Sequence, residues 1–162
     1  MIRPATKDDA RQIAEIYGHY VRTTSVSFEE DPPSSDQMAE RIETTSRDYP
    51  YLVDEEGGQL SGYCYAGLYR TRSAYRFTAE TTVYVRDDAR GSGVGRALYA
   101  RLIEALKKQD LHLLVGAITL PNPASEALHR SFGFERAGHL KEVGFKFGRW
   151  HDVALWQLRL AS

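Results

Sequence analysis

A chain of 162 residues, 42% of them hydrophobic, has the apolar material for one core of ordinary size without metal or disulfide staples. Its 21 basic and 22 acidic residues leave a formal net charge of −1, which gives a polyanion such as nucleic acid no general grip, so any cationic site must be local. Cys64 is the only cysteine, which excludes an internal disulfide and fits a reducing compartment. The opening MIRPATKDDARQIAEIY carries acids early and no long apolar run, so it reads as neither a signal peptide nor a membrane anchor. The expectation is a single cytoplasmic domain over 1–162, with no nucleic-acid and no membrane partner.

Ile2 begins a short strand. Thr6-Lys-Asp-Asp9 then offers a capping box ahead of Ala10, Ile13, Ile16, Tyr17 and Tyr20, which recur at helical spacing. After a polar loop through Phe28, Pro33 and Ser34 open a second helix, with Gln37 at the capping-box position and Met38 and Ile42 inward, ending near Arg47. Tyr51 to Asp54 and Leu60 to Leu68 are joined by Glu56-Gly57-Gly58, the signature of an antiparallel hairpin. Phe77 to Val85 is a third β run, rich in Thr, Val and aromatics. Between Gly93 and Gln109, Val94, Ala97, Leu98, Leu102, Ala105 and Leu106 trace one helical stripe.

Leu111 to Ile118 is almost continuously apolar, as expected of a strand covered on both faces, so strand, helix and strand make a βαβ crossover. Asn122 and Pro123 are a natural N-cap and first residue for a short helix through Phe132, which Gly133 terminates. Strands over Phe134 to Val143 and Asp152 to Leu160 close the chain. The order β-α-α-β-β-β-α-β-α-β-β predicts an α/β (α+β) domain, with a mixed, mainly antiparallel sheet, one parallel step in its middle and helices on both faces.

The run Arg90-Gly91-Ser92-Gly93-Val94-Gly95-Arg96 leads from strand into helix. Such a junction turns several backbone N–H groups and the positive end of a helix dipole toward one point, which suits a phosphate; the other reading is a plain glycine-rich turn. A dinucleotide fingerprint would need glycine where Arg96 stands, and no G-K-[ST] follows, so neither NAD nor ATP is supported.

These residues carry a resemblance. Arg90-x-x-Gly93-x-Gly95 resembles the pyrophosphate loop of the GNAT superfamily of acetyltransferases, and Asn122 to His129 with the Gly133-Phe134 step resembles its second signature. The likeness spans essentially the whole chain and implies the GNAT fold, with a splayed parallel strand pair, and acetyl-CoA as co-substrate. It implies that Val83, Tyr84 and Val85 offer backbone groups to the pantetheine and the acetyl carbonyl. Arg90, Gly91, Ser92, Gly93, Val94, Gly95 and Arg96 would then take the pyrophosphate, and Asn122 would reach the pantetheine arm.

Acetyl transfer to an amine needs a base for the ammonium and a proton for the departing thiolate. Glu80, inside a β run that should be largely covered, is the candidate base, because a carboxylate there is costly unless paired or used; a solvated strand glutamate or an arginine partner is the alternative. AETTVYV with LHRSFGF is similar to the phosphinothricin and methionine sulfoximine acetyltransferase branch of the superfamily, and that likeness implies a strand glutamate, Glu80, and a helix histidine, His129, as the proton-transfer pair. Alternation sends Glu80, Thr82 and Tyr84 to one strand face, leaving Tyr84 as a weaker alternative acid. His19, His112, His139 and His151 show no metal-binding spacing, so no metal is expected, and Cys64 in its apolar strand reads as packing.

GLYRTRSAYRFTAE aligns with the same branch, and the likeness implies that Arg70, Arg72 and Tyr75 receive the anionic group of a small amino acid acceptor, with Phe28 lining the pocket. Arginine forks suit such oxyanions, although an exposed hairpin whose charges merely face water is the plainer reading. The role of Arg76 stays open. Lys146, Trp150 and His151 are expected in the pocket wall or in the contact of a homodimer, the assembly common among relatives.

Overall fold

The Thr6 hydroxyl accepts the Asp8 N–H and Asp9 Oδ2 accepts the Thr6 N–H at 2.9 Å. This reciprocal cap launches a 3-10 turn, Lys7–Asp9, that runs into α1 (Ala10–Thr23). Ser34 and Gln37 repeat the device, with bonds of 3.1 and 2.9 Å, at the start of α2 (Ser35–Ser46). The structure, a computed structural model, describes residues 1–160. Its strands are β1 (Ile2–Pro4), β2 (Tyr51–Glu56), β3 (Gln59–Leu68), β4 (Thr78–Val85), β5 (Leu113–Thr119), β6 (Glu135–Lys146) and β7 (Arg149–Arg159). They form one sheet in the order β1-β2-β3-β4-β5-β7-β6. Two further helices, α3 (Val94–Lys107) and α4 (Pro123–Ser131), lie between the later strands, so the predicted element order holds throughout.

Two clusters share the sheet. On one face α1 and α2 bury Ile13, Ile16, Tyr17, Met38 and Ile42 against Tyr51, Val53, Leu60 and Tyr63. On the other, α3 buries Leu98, Tyr99, Leu102 and Leu106 against Cys64, Ala66, Ala79 and Leu114. Ser61 bulges out of the β2–β3 ladder, and the extra residue puts Leu60 and Tyr63 on the same face despite their odd spacing. Cys64 is fully buried, and desolvation pushes its thiol up to about 12, so it packs rather than reacts.

The parallel step lies between β4 and β5, and it is short. Thr78, Ala79 and Glu80 pair with Leu113, Leu114 and Val115, and there the ladder ends. Beyond that point β4 stays with β3 as far as Val85↔Gly62, and β5 stays with β7 as far as Thr119↔Val153. The two strands therefore part immediately after Glu80 and open a slot through the sheet.

The C-terminal hairpin differs from the sequence reading. β6 and β7 run on to Lys146 and back from Arg149, where a longer connection was predicted. Phe147 (φ 54°) and Gly148 (φ 72°) make a two-residue turn with both residues left-handed, the geometry that matches strand twist. Phenylalanine in such a position hid the turn.

Candidate active site

The glycine run does what its composition requires. Gly91 and Gly93 take φ of 78° and 88°, a region in which a side chain is strained, and Gly93 is the N-cap of α3 without any side-chain cap. The first helical bond is Ala97 N–H to Gly93 O at 3.0 Å. The N–H groups from Gly91 to Arg96 have no partner among the described residues, so a row of donors and the dipole of a four-turn helix converge on open space. That space is a cavity of about 680 Å³ lined by Arg90, Gly91, Gly93, Val94, Gly95 and Arg96, with Val83, Tyr84, Val85 and Asn122. It fits a pyrophosphate. Ser92 alone among the predicted loop residues turns its side chain away, bonding the Ala89 carbonyl. The Tyr20 hydroxyl already donates to the Val85 carbonyl and takes one of its two lone pairs, leaving one for a ligand. Asn122 Oδ1 caps α4 by accepting the Ser125 N–H at 3.1 Å, leaving the amide NH₂ as the end that can face the cavity.

A second cavity of about 300 Å³ continues from the first, sharing Val26, Val83, Tyr84, Asn122 and Ser125 with it. Glu80 and His129 both line it, but from opposite faces of the sheet. Glu80 lies in register with Gly67 and two residues from Thr82, whose partner is Tyr65, on the α1–α2 side. His129 contacts Tyr99 on the α3 side. They meet because the slot passes through the sheet where β4 and β5 part.

Glu80 makes no hydrogen bond or ion pair with any described residue. It is half-buried, and desolvation raises its carboxyl above the usual range. Of the alternatives left open by the sequence, the arginine partner is therefore not realised. His129 is 5% exposed, and its Nδ1 lies 2.7 Å from the Ser125 carbonyl, which can only accept. Nδ1 thus holds the proton of the neutral ring, and Nε2 accepts the Tyr99 hydroxyl at 2.8 Å. Burial lowers the imidazole's pKa, and the Ser125 bond opposes this only in part. Tyr99 also meets Thr81 Oγ1 at 2.5 Å. Room for the ring comes from Gly116 on β5, where a Cβ would stand 2.6 Å from Nε2.

Phe28 lines the Glu80 cavity as expected, lying over Gly144, where any side chain would meet its ring. Its loop is tethered by Lys146, a buried ammonium whose Nζ donates to the Ser27 carbonyl at 2.7 Å. His151 Nε2 in turn bonds the Lys146 carbonyl at 2.9 Å, so these two brace the wall from behind, while Trp150 is exposed.

Arg70, Arg72 and Tyr75 are not brought to this site. With Thr71 they line a separate cavity at the β3–β4 turn that shares no residue with the Glu80 cavity. The physical reason is the direction of β4: the turn lies ahead of Thr78, the end at which the sheet is still paired, and the slot opens beyond Glu80. Arg76 stacks its guanidinium on Phe77, 4.4 Å from the ring centroid, and bonds the Ser73 carbonyl, which gives it a local role in shaping the turn. The residues that sequence reasoning missed are Tyr65, Thr81, Tyr99 and Gly116. Tyr99 stands off the apolar stripe traced for its helix, and Thr81 is one of several threonines in its β run, so nothing local marked either.

Among the described residues no group of three or more His, Cys, Asp or Glu side chains could hold a metal ion, and no helix is long and apolar enough to cross a membrane. Residues 2–155 match the acetyltransferase (GNAT) domain family. The chain is 47% identical over 158 residues to phosphinothricin N-acetyltransferase of Alcaligenes faecalis, covering 96% of this chain and 80% of that one. It is 41% identical over 161 residues to the L-methionine sulfoximine/L-methionine sulfone acetyltransferase of Pseudomonas aeruginosa, covering 98% and 94%. A GNAT superfamily phosphinothricin acetyltransferase from Sinorhizobium meliloti, solved in complex with acetyl-CoA, superposes with a TM-score of 0.95 at 40% identity, covering 99% of this chain and 88% of that one.

Proposed function

From the premise that the chain belongs to the GNAT acetyltransferases, as an acetyl-CoA-dependent N-acetyltransferase, we propose that it acetylates the α-amine of a small anionic amino acid of the phosphinothricin or methionine sulfoximine type. The observation that carries the mechanism is the unpaired, half-buried Glu80 at the start of the slot, facing His129 across the sheet. Acetyl-CoA supplies the acetyl group as a thioester. The free N–H groups of Gly91 to Arg96 hold the pyrophosphate, and the parted edges of β4 and β5 receive the arm.

Glu80 takes the proton of the acceptor's ammonium, directly or through water. Its raised pKa brings it closer to neutrality, where a base accepts a proton most effectively yet stays ionised. His129 handles the proton of the departing thiolate on the other face. Tyr65 and Phe28 bound the space in which the acceptor amine approaches Glu80. The acceptor class rests on the relatives, because Arg70, Arg72 and Tyr75 of the same chain do not reach this cavity. A homodimer is part of the same reading, supported by the exposed Phe145, Phe147 and Trp150 at the sheet's outer hairpin, and light scattering tests it.

Purified protein, acetyl-CoA and a panel of phosphinothricin, methionine sulfoximine, methionine sulfone, ordinary amino acids, peptides and polyamines, read by thiol release, tests the acceptor. Fastest turnover of the sulfoximine, sulfone or phosphinate supports it. Release with peptides or polyamines alone overturns it in favour of an acetyltransferase for protein N-termini or other amines, and no turnover with any amine leaves a CoA-binding module.

A further inference from the structure

The proton arrangement around His129 has a fixed direction. Because Nδ1–H is committed to the Ser125 carbonyl, the neutral ring offers only a lone pair at Nε2, and Tyr99 must be the donor there. Tyr99 O then accepts from Thr81 Oγ1 at 2.5 Å, since the single Thr81 proton goes to the near oxygen rather than to the Val115 carbonyl at 3.5 Å. The row Thr81 → Tyr99 → His129 → Ser125 O runs one way through an otherwise apolar core. In this resting state His129 has no proton on Nε2 to give. Both Tyr99 and His129 border the slot.

We propose that Tyr99 is a further catalytic residue acting with His129: its hydroxyl, oriented by Thr81, holds Nε2 and carries the proton from the imidazole to the departing sulfur. The inference rests on the reading that His129 serves the leaving group. When His129 takes a proton from solvent on Nε2, that N–H points at Tyr99 O. The same oxygen still accepts from Thr81, so both lone pairs are used, and its own hydrogen must swing toward the slot. Thiolate departure then draws the Tyr99 proton to sulfur while the Nε2 proton passes to Tyr99 O. One S–H bond forms, the imidazolium returns to neutral, and Tyr99 ends as it began. Protonation of the thiolate by tyrosine alone would leave a buried phenolate, which desolvation opposes, whereas the coupled shift leaves no charge behind.

The test is Tyr99→Phe, measured beside His129→Gln and the double variant. The expected result is a kcat lower by about 10- to 100-fold in Tyr99→Phe, with both KM values within about three-fold, and a double variant no slower than the slower single. Nitrogen-15 spectra of His129 should show the Nδ1–H form in the parent and a perturbed Nε2 signal in Tyr99→Phe. Parental kcat in Tyr99→Phe with a slow His129→Gln overturns this inference alone. Parental kcat in His129→Gln removes the underlying reading instead. Should Tyr99→Phe not fold, Thr81→Val and Thr81→Ser decide: a slow valine variant with a normal serine one supports the relay, and two normal rates overturn it.

Discussion

Gly116→Ala adds a methyl group to β5 without deleting any functional atom. The new Cβ would stand 2.6 Å from His129 Nε2 and 2.9 Å from its Cδ2, whereas unstrained contacts lie at about 3.5 Å or more, so the ring must retreat by roughly 0.9 Å. The imidazole is held at both ends, at 2.8 Å to Tyr99 and 2.7 Å to Ser125. A shift of that size takes at least one of these bonds to the limit of hydrogen bonding. Misplacement of a reacting group by about 1 Å costs up to about 10²-fold in rate, and kcat should fall by roughly 10- to 100-fold. Gly116 does not line the slot, so the KM values for acetyl-CoA and acceptor should stay within about three-fold. Overpacking should cost about 1–3 kcal/mol of stability, a fall in Tm of roughly 2–12 °C for a chain of this size. Steady-state thiol release at saturating substrates, with a thermal melt as control, measures both. A folded Gly116→Ala protein with parental kcat would refute the idea that the placement of His129 matters to turnover.

Glu80→Gln should lower kcat by about 10²- to 10⁴-fold while acetyl-CoA binds as before in calorimetry. Because burial raises the Glu80 carboxyl, the parent's rate should climb with pH through a value above the ordinary glutamate range, and the variant should lose that acid limb. The same shift penalises the charged form in the folded protein, so at neutral pH Glu80→Gln should melt no lower than the parent; a lower melting point counts against the carboxylate being unpaired. Gly93→Ala puts a side chain at φ 88° where nothing lies within 4 Å, so the cost is conformational alone. About 1–2 kcal/mol of left-handed strain should weaken acetyl-CoA by roughly ten-fold with little change in kcat at saturation, and unchanged affinity would disprove the loop's role. Asp9 accepts two Arg3 bonds, at 2.8 and 2.9 Å, and the Thr6 N–H; burial pushes its carboxyl up, but these bonds outweigh it and hold it below the ordinary range. That contribution is complete above about pH 4 and is lost as pH falls through the lowered value. Asp9→Asn should therefore lose about 1–3 kcal/mol in urea unfolding at pH 7 and differ little from the parent in strong acid.

The helices were legible because their signals are local. Thr6 with Asp9, Ser34 with Gln37, and Asn122 before Pro123 are short-range hydrogen-bond devices that act wherever a chain carries them. The Leu111 to Ile118 run announced the strand beside the parallel step, since burial on both faces leaves an unbroken apolar stretch. Glu80 and the glycine loop were visible because each violates a local rule, a carboxylate in a covered strand and glycines at a helix start. Tyr99, Thr81 and Gly116 violate none. Their meaning arises from α3, β4, β5 and α4 converging, through pairs separated by 18 and 30 residues. The arginine loop was expected over the acceptor pocket because closeness in sequence to Glu80 suggested closeness to its carboxylate; in the structure the turn feeds the paired end of β4 and lines a cavity of its own.

The direction of β4 explains why Glu80 and His129, the proposed proton-transfer pair, can face each other at all. A continuous sheet would separate Glu80 from His129 by a layer of backbone, each facing its own helical layer. The ladder's last pair, Glu80↔Val115, is followed on β5 by Gly116, the residue that lets His129 approach the sheet, so the strands part where the two groups stand. Parting has an energetic consequence. From Thr81 to Val85 one edge of β4 gives up a ladder to β5, and each backbone bond forgone is a net loss of about 0.5–1.5 kcal/mol unless something else satisfies it. An arm that carries amides, such as that of acetyl-CoA, is the kind of ligand that can complete such edges. Affinity for the donor and the opposition of base to histidine thus have one cause. Any substitution that re-zips β4 onto β5 should close the slot to the cofactor and, in the same step, put a sheet between Glu80 and His129.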